Sequence, residues 1–353
     1  MTSPGSAQVV GTGPIGGSIG FALRERGWHV TGSDRDPARA ARALELGALD
    51  AVGEDADAAI TFVATPVSSI AEIARDALAR GGVVTDAGSV KSSIVAAVEH
   101  PRFVGGHPMA GSEQEGVDGS RADLFQGAVW VLTPTAGTDE AAHTLVRSVV
   151  SSFGAQVVEL PPARHDALVA VVSHVPHLTA ATLMTLAAEG AEEHRAMLRL
   201  AAGGFRDMTR IASGGPTIWP DICAENRDAI VQGLDDLITA LQKTRDVVAS
   251  GDRASLLDVL ERARAARVNL PARVASIAEM AEVRVPVPDR AGVLAEVTTL
   301  ASALGVSIAD IEIAHSAEGD AGVLLIVVPV DAVDRFTAGL IAREYKSSWR
   351  TLE

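Results

Sequence analysis

From Ala7 to Leu160 the chain alternates between two rhythms. Short apolar runs stand at 7–10, 29–32, 58–64, 82–85, 103–104, 129–132 and 156–160; between several of them apolar side chains return every third or fourth position, as Ile19, Ala22 and Leu23 do. The runs predict strands and the wider spacing predicts helices. Strand–helix alternation of this kind predicts an α/β fold, a mostly parallel and doubly wound sheet. After Leu160-Pro161-Pro162 the strand signals stop, and an Ala- and Leu-rich helical pattern runs to about residue 280. From Ala281 the pattern changes again. Strands over 282–287, 306–313, 322–330 and near 347–352, with helices over 290–304 and 332–343, give the order β-α-β-β-α-β of a ferredoxin-like α+β unit. Val293, Val297, Leu300 and Leu304 form the buried stripe of its first helix. The expected domains are therefore 1–162, dinucleotide-binding; 163–280, all-helical; and 281–353, ferredoxin-like.

Composition narrows the classes of function. A length of 353 residues suits two or three domains. A formal charge of −15 opposes binding to nucleic acid or anionic lipid. The longest obvious apolar run, Gly322 to Val330, contains Pro329 and is far short of the roughly 20 residues that cross a bilayer, so no membrane partner is expected. Met1 to Ser6 has no basic-then-apolar pattern of a leader, and cytoplasm is the expected compartment. A single cysteine, Cys223, excludes an internal disulfide framework and reads as buried filler.

The first strand runs directly into Gly11-Thr12-Gly13-Pro14-Ile15-Gly16. With a strand before it and a helix after it, this G-x-G-x-x-G is a dinucleotide fingerprint: Gly11 for the turn, Gly13 for close approach of a pyrophosphate, Gly16 for helix–strand packing. Asp34, at the end of the second strand, suits ribose hydroxyls and repels a 2′-phosphate, which favours NAD over NADP; Arg35 beside it leaves NADP open. Further strand ends carry Thr65-Pro66, placed to lie along a nicotinamide, then Ser89 and Lys91, then His107 in Gly105-Gly106-His107-Pro108-Met109. Ligands of doubly wound sheets sit beyond such carboxyl ends, and histidine is the side chain that accepts a proton near neutrality without special tuning. Ser89 and Lys91 read equally well as a helix cap and a surface residue.

In the helical region Ser173-His174-Val175-Pro176-His177 puts two histidines three apart on one face, and Pro176 is expected to kink the helix. No third ligand follows at a recognisable spacing, so no metal site is expected. A Gly-rich stretch from Gly203 to Trp219 carries Arg206 and Arg210, a candidate clamp for an anionic substrate.

Five segments in order, Val10 to Gly20, Asp86 to Lys91, Gly105 to Gly116, Ser173 to His177 and Gly203 to Trp219, resemble the prephenate/arogenate dehydrogenases of tyrosine biosynthesis. The terminal unit resembles an ACT domain, a module that binds amino acids. The resemblance implies a Rossmann-type dinucleotide-binding domain, a helical domain that forms a homodimer, and NAD-dependent oxidative decarboxylation of prephenate to 4-hydroxyphenylpyruvate. It implies that His107 accepts the hydrogen bond of the substrate's ring hydroxyl, with Ser89 as its orienting partner. By the same resemblance Arg210 holds the ring carboxylate, and His174, His177, Arg206 and Trp219 line the pocket. The run Ala202-Gly203-Gly204 lacks the third glycine that relatives often carry.

Two choices stay open. Arogenate, with an ammonium in place of the keto group, would call for a pocket carboxylate; Ser213 to Thr217 offers none, which favours prephenate, and Glu113 is the residue that would reverse this. In the terminal unit, Asp289, Arg290 and Gly292 open the first helix and are the expected seat of an amino-acid effector. Two other classes are a β-hydroxyacid-type dehydrogenase, disfavoured by serine and histidine at strand ends where a helix lysine would be expected, and a non-catalytic amino-acid sensor, disfavoured by the intact glycine fingerprint.

Overall fold

The computed structural model describes residues 5–111, 114, 116–193, 200–268, 280–288, 290, 292–315 and 321–351. The chain divides into two compact units, Met1–Leu257 and Asp258–Glu353.

The first unit begins with an eight-stranded sheet in the order β3-β2-β1-β4-β5-β6-β7-β8. Its members are β1 (Ser6–Val10), β2 (His29–Ser33), β3 (Ala51–Val52), β4 (Ile60–Val63), β5 (Val83–Asp86), β6 (Phe103–Pro108), β7 (Val129–Thr133) and β8 (Gln156–Glu159). All neighbours pair in parallel except β6 with β7. Helices α1 (Pro14–Glu25), α2 (Pro37–Glu45), α3 (Val67–Arg80), α4 (Ser92–Val98) and α5 (Glu140–Ser152) connect the strands. Continuous apolar strands such as Ile60-Thr61-Phe62-Val63 are buried throughout, as a sheet covered on both faces requires. The mostly parallel, doubly wound sheet read from the alternation is therefore present; the antiparallel β6–β7 pair is an addition to it.

Helices follow: α6 (Pro162–Val169), a π-turn over Ala170–His174, α7 (Val175–Glu193), α8 (Gly203–Thr209), a 3₁₀ turn over Arg210–Ser213, α9 (Trp219–Glu225), α10 (Arg227–Ser250) and α11 (Arg253–Val268). The disturbance expected at Pro176 falls one turn earlier, where the Val175 N–H bonds to Ala170 O, five residues back. Such a turn inserts a residue into the helix. Histidines 165 and 174 are nine apart, which in a regular helix puts them roughly 180° apart; the inserted residue reduces this to roughly 80°, and both are buried. The segment Pro162–Gly190 is long and apolar enough to cross a membrane by length and composition alone, which overturns the expectation that no run was. His165, Asp166, His174, Pro176 and His177 interrupt the apolar run without ending the helix, so no unbroken apolar run marks it in the sequence.

The second unit contains β9 (Met280–Pro288), α12 (Val293–Ala303), β10 (Asp310–His315), β11 (Ala321–Pro329), α13 (Val330–Ile341) and β12 (Ser348–Thr351). Its antiparallel sheet has the order β10-β11-β9-β12, the ferredoxin-like topology. Val293, Val297 and Leu300 of the expected stripe are buried against Phe336 and Leu340 of α13 and the inner face of β9 and β11, and Leu304 packs on that core half-buried.

Candidate active site

At the carboxyl end of β1 the backbone turns through Gly11, whose φ of +92° favours glycine. A Cβ at Gly16 would run into the Gly11 carbonyl oxygen, so turn and helix fit only as glycine. A Cβ at Gly13, by contrast, would meet nothing within 4 Å. Helix α1 starts there with no side-chain cap and no acidic residue in its first turn. Its free N–H groups and open face are what a pyrophosphate needs. Asp34 Oδ2 accepts from the Thr12 amide at 2.7 Å and from Thr12 Oγ1 at 3.1 Å, which fixes the carboxylate beside this turn. Pro14 and Ile15 are half-buried around it, Arg35 is exposed, and Thr65-Pro66 ends β4 next to β1. The residues present fit a dinucleotide.

His107 lies near the end of β6, past the last residue of β5, and is half-buried. Asp86, the final residue of β5, is fully buried and binds three groups. Oδ1 accepts the Gly106 amide at 3.0 Å; Oδ2 accepts the Gly88 amide at 2.9 Å and pairs with Lys91 Nζ. Lys91 is thus an interior cation and not the surface residue that one reading allowed; burial lowers its pKa, against the attraction of Asp86 and Asp166.

His107 Nδ1 stands 2.8 Å from His165 Nε2. His165, fully buried on α6, has its Nδ1 2.8 Å from Asp166 Oδ1. Asp166 also accepts the backbone amides of Lys91 and Ser92, each at 2.8 Å. Burial alone would raise the Asp166 carboxyl; the hydrogen bonds from His165, Ser92 and Lys91 outweigh it and hold the pKa below the usual range. Burial pushes His107 well below its usual pKa, and His165, Lys91 and His174 add to this, while Asp166 opposes it. Ser89 is half-buried and makes no hydrogen bond among the described residues; the group at hydrogen-bond distance from His107 Nδ1 is His165. Helix α6 carries that imidazole to Nδ1.

His174 is buried, with Nδ1 3.2 Å from Asn226 Nδ2, which also donates to the Asp166 carbonyl at 3.0 Å. Burial first, then His165, lowers His174 to about 4 against the pull of Asp166. Trp219 stacks on His177 with centroids 3.6 Å apart and meets His174 edge-on at 6.1 Å. The structure therefore brings three of the expected pocket residues together. Arg206 is exposed and its Nε donates to Ala201 O at 3.2 Å. Arg210 is exposed in the 3₁₀ turn that packs on α7. Glu113 lies outside the described residues, as does Asp289.

His165, Asp166 and Asn226 escaped the sequence reading. A signal for the first two existed: an adjacent His-Asp in the first turn after Pro161-Pro162, where the sheet hands over to the helices. Among the described residues no group of three or more metal-ligating side chains is present.

Residues 19–159 match the nucleotide-binding domain of prephenate dehydrogenases, and residues 161–262 match their dimerization domain. The chain is 35% identical to the prephenate dehydrogenase of Bacillus subtilis (strain 168) over 335 residues, 90% of each chain. It superposes on the crystal structure of prephenate dehydrogenase from A. aeolicus in complex with hydroxyphenyl propionate and NAD+ with a TM-score of 0.72 and 30% identity, covering 76% of this chain and 99% of the other. Synechocystis arogenate dehydrogenase gives a TM-score of 0.66 at 31% identity, covering 74% and 98%.

Proposed function

The chain belongs to the prephenate dehydrogenase family, and on that premise we propose that it converts prephenate to 4-hydroxyphenylpyruvate and carbon dioxide with NAD as oxidant, using His107 as base. The observation that carries the assignment of the base is the position of His107. It is the half-buried imidazole past the end of β5, in the same sheet as the glycine turn, with Nδ1 engaged and Nε2 bound by no group among the described residues.

NAD, when bound at Gly11, Gly13 and the α1 N-terminus with Asp34 on its ribose, supplies the acceptor for the two electrons removed from the ring carbon. His107 Nε2 accepts the proton of the ring hydroxyl. As carbon dioxide leaves, the electron pair of its bond to the ring restores aromaticity, and the phenol oxygen takes the proton back from the imidazolium. Aromatisation drives the reaction, so the protein has mainly to position the ring and accept a proton, the latter worth typically about 10²–10⁴-fold. Arg210 is the proposed partner of the ring carboxylate, His177 and Trp219 form one wall, and Ser89 is free to meet the ring hydroxyl or cofactor.

A second reading, arogenate as substrate, has support in the likeness to the Synechocystis enzyme. Against it, Ser213 to Thr217 offers no carboxylate to an ammonium. Turnover measured with prephenate and arogenate, each with NAD and NADP, tests the reading: the highest kcat/KM is expected for prephenate with NAD, and higher efficiency with arogenate overturns the substrate choice.

The chain's assembly is proposed to be a homodimer through its helical part. Val171, Val172, Leu186, Val231, Ile238 and Leu241 are all at least half exposed there, more apolar surface than a monomer usually shows. The terminal unit is proposed to bind an amino-acid effector at Gly292, which starts α12 with φ +92° beside Arg290. Cytoplasm is the proposed compartment; the single thiol, Cys223, is half-buried and raised by burial, more accessible than filler but not activated.

A further inference from the structure

We infer that His165 and Asp166 are positioning residues, which hold His107 as the Nδ1-protonated tautomer and stabilise the imidazolium it becomes. The inference rests on the base role proposed for His107. Asp166 receives two backbone N–H groups, from Lys91 and Ser92, and these hold it as a carboxylate, which can only accept. The proton between Asp166 Oδ1 and His165 therefore sits on His165 Nδ1. A His165 ring carrying that one proton offers a lone pair at Nε2, so the 2.8 Å contact to His107 is donated by His107 Nδ1–H. That leaves the lone pair of His107 at Nε2, which no group among the described residues binds. A chain of single assignments thus sets the base in its reactive form before substrate arrives.

The same chain answers an electrostatic difficulty. His165, Lys91 and His174 face His107 from α6, the β5 turn and the π-turn, and positive charge on any of them opposes one on His107; Asp86, the other carboxylate nearby, is already committed to Lys91. Asp166 is the carboxylate that favours the protonated ring, and it reaches His107 through His165. His165 is fully buried with both ring nitrogens engaged, so it has no polar atom left to meet substrate and acts only through His107.

The test compares wild type with His165→Leu, His165→Gln and Asp166→Asn in the full-length enzyme, using prephenate and NAD. His165→Leu should lower kcat by about 10²-fold or more, with KM and the NAD dissociation constant changed by less than about twofold. Glutamine can accept the Nδ1–H and donate to Asp166, so His165→Gln should recover at least about tenfold of that loss. A purely packing role predicts equal loss in both, and that result, or a normal kcat in His165→Leu, overturns the inference. Independently, ¹⁵N spectra of histidine-labelled enzyme, assigned with His107→Asn, should show His107 protonated at Nδ1 in wild type and at Nε2 in Asp166→Asn. A wild-type His107 protonated at Nε2 also overturns it. If wild type does not turn over prephenate, the proposed function fails, and the spectra still decide the tautomer.

Discussion

Asp86 Oδ1 accepts the backbone N–H of Gly106 at 3.0 Å, and so ties the end of β5 to the residue that precedes His107. Its other oxygen neutralises Lys91, which is wholly buried. Removing one partner of a buried pair leaves an uncompensated charge and typically costs about 3–5 kcal/mol. Asp86→Ala should destabilise the first unit by about that amount and displace His107, with activity lost as well. Denaturant unfolding checks this, and a loss below about 1 kcal/mol would show that Lys91 finds another partner.

Gly13 and Gly16 separate cofactor binding from folding. At Gly13 the space beside the backbone is open, so Gly13→Ala should leave Tm within about 2 °C and weaken NAD by about tenfold or more, because the methyl group stands where the pyrophosphate approaches. Gly16→Ala, which collides with the Gly11 carbonyl, should lower both Tm and NAD affinity. Calorimetric NAD titration of Gly13→Ala with unchanged affinity would place the cofactor elsewhere.

Stability should fall on mild acidification. Burial lowers His174 to about 4, and His107 and His177 are lowered in the same direction, whereas the unfolded chain titrates near 6.5. Between those values the unfolded chain binds more protons, so this stability is complete above about pH 6.5 and drains away as the pH falls toward 4. Melting temperatures should therefore decrease from pH 7 to pH 5, a window above the titration of the carboxylates, and His174→Gln should flatten the slope. A Tm independent of pH across that window would contradict the burial seen for His174.

The terminal unit should bind one amino acid. Gly292 opens α12 with space for a ligand, and Arg290 beside it is held by both oxygens of Glu296 at 2.8 Å, with Tyr345 on the same carboxylate. Calorimetry with the twenty amino acids should find one saturable binder that is lost in Gly292→Asp and shifts the substrate curve, with a coupling of about 1–3 kcal/mol. Binding that leaves the kinetics untouched would make the unit an assembly module.

Where one residue type answers one physical demand, the sequence was informative. Gly11 and Gly16 are dictated by backbone crowding, so the glycine turn and its place after β1 could be read directly; the alternation of apolar periods likewise gave the parallel sheet and the β-α-β-β-α-β unit. The roles of Lys91, His165 and Asp166 were harder to read for the opposite reason, since the adjacent His-Asp marks a place and not its contacts. Their roles depend on contacts across long stretches of chain, Lys91 N with Asp166 over 75 positions and His107 with His165 over 58, which no local pattern encodes. The π-turn at Ala170–His174 was equally hidden: Pro176 announced a disturbance, but only the packed helix shows that it is taken up one turn earlier.

The most direct measurement is simultaneous assay of carbon dioxide and NADH from prephenate and NAD, in wild type and in His107→Asn. Wild type should release the two products one to one, and His107→Asn should lose roughly 10²-fold or more in kcat while binding NAD nearly as before. NADH formed without carbon dioxide, no turnover of prephenate, or a His107→Asn enzyme as fast as wild type would each contradict oxidative decarboxylation with His107 as its base.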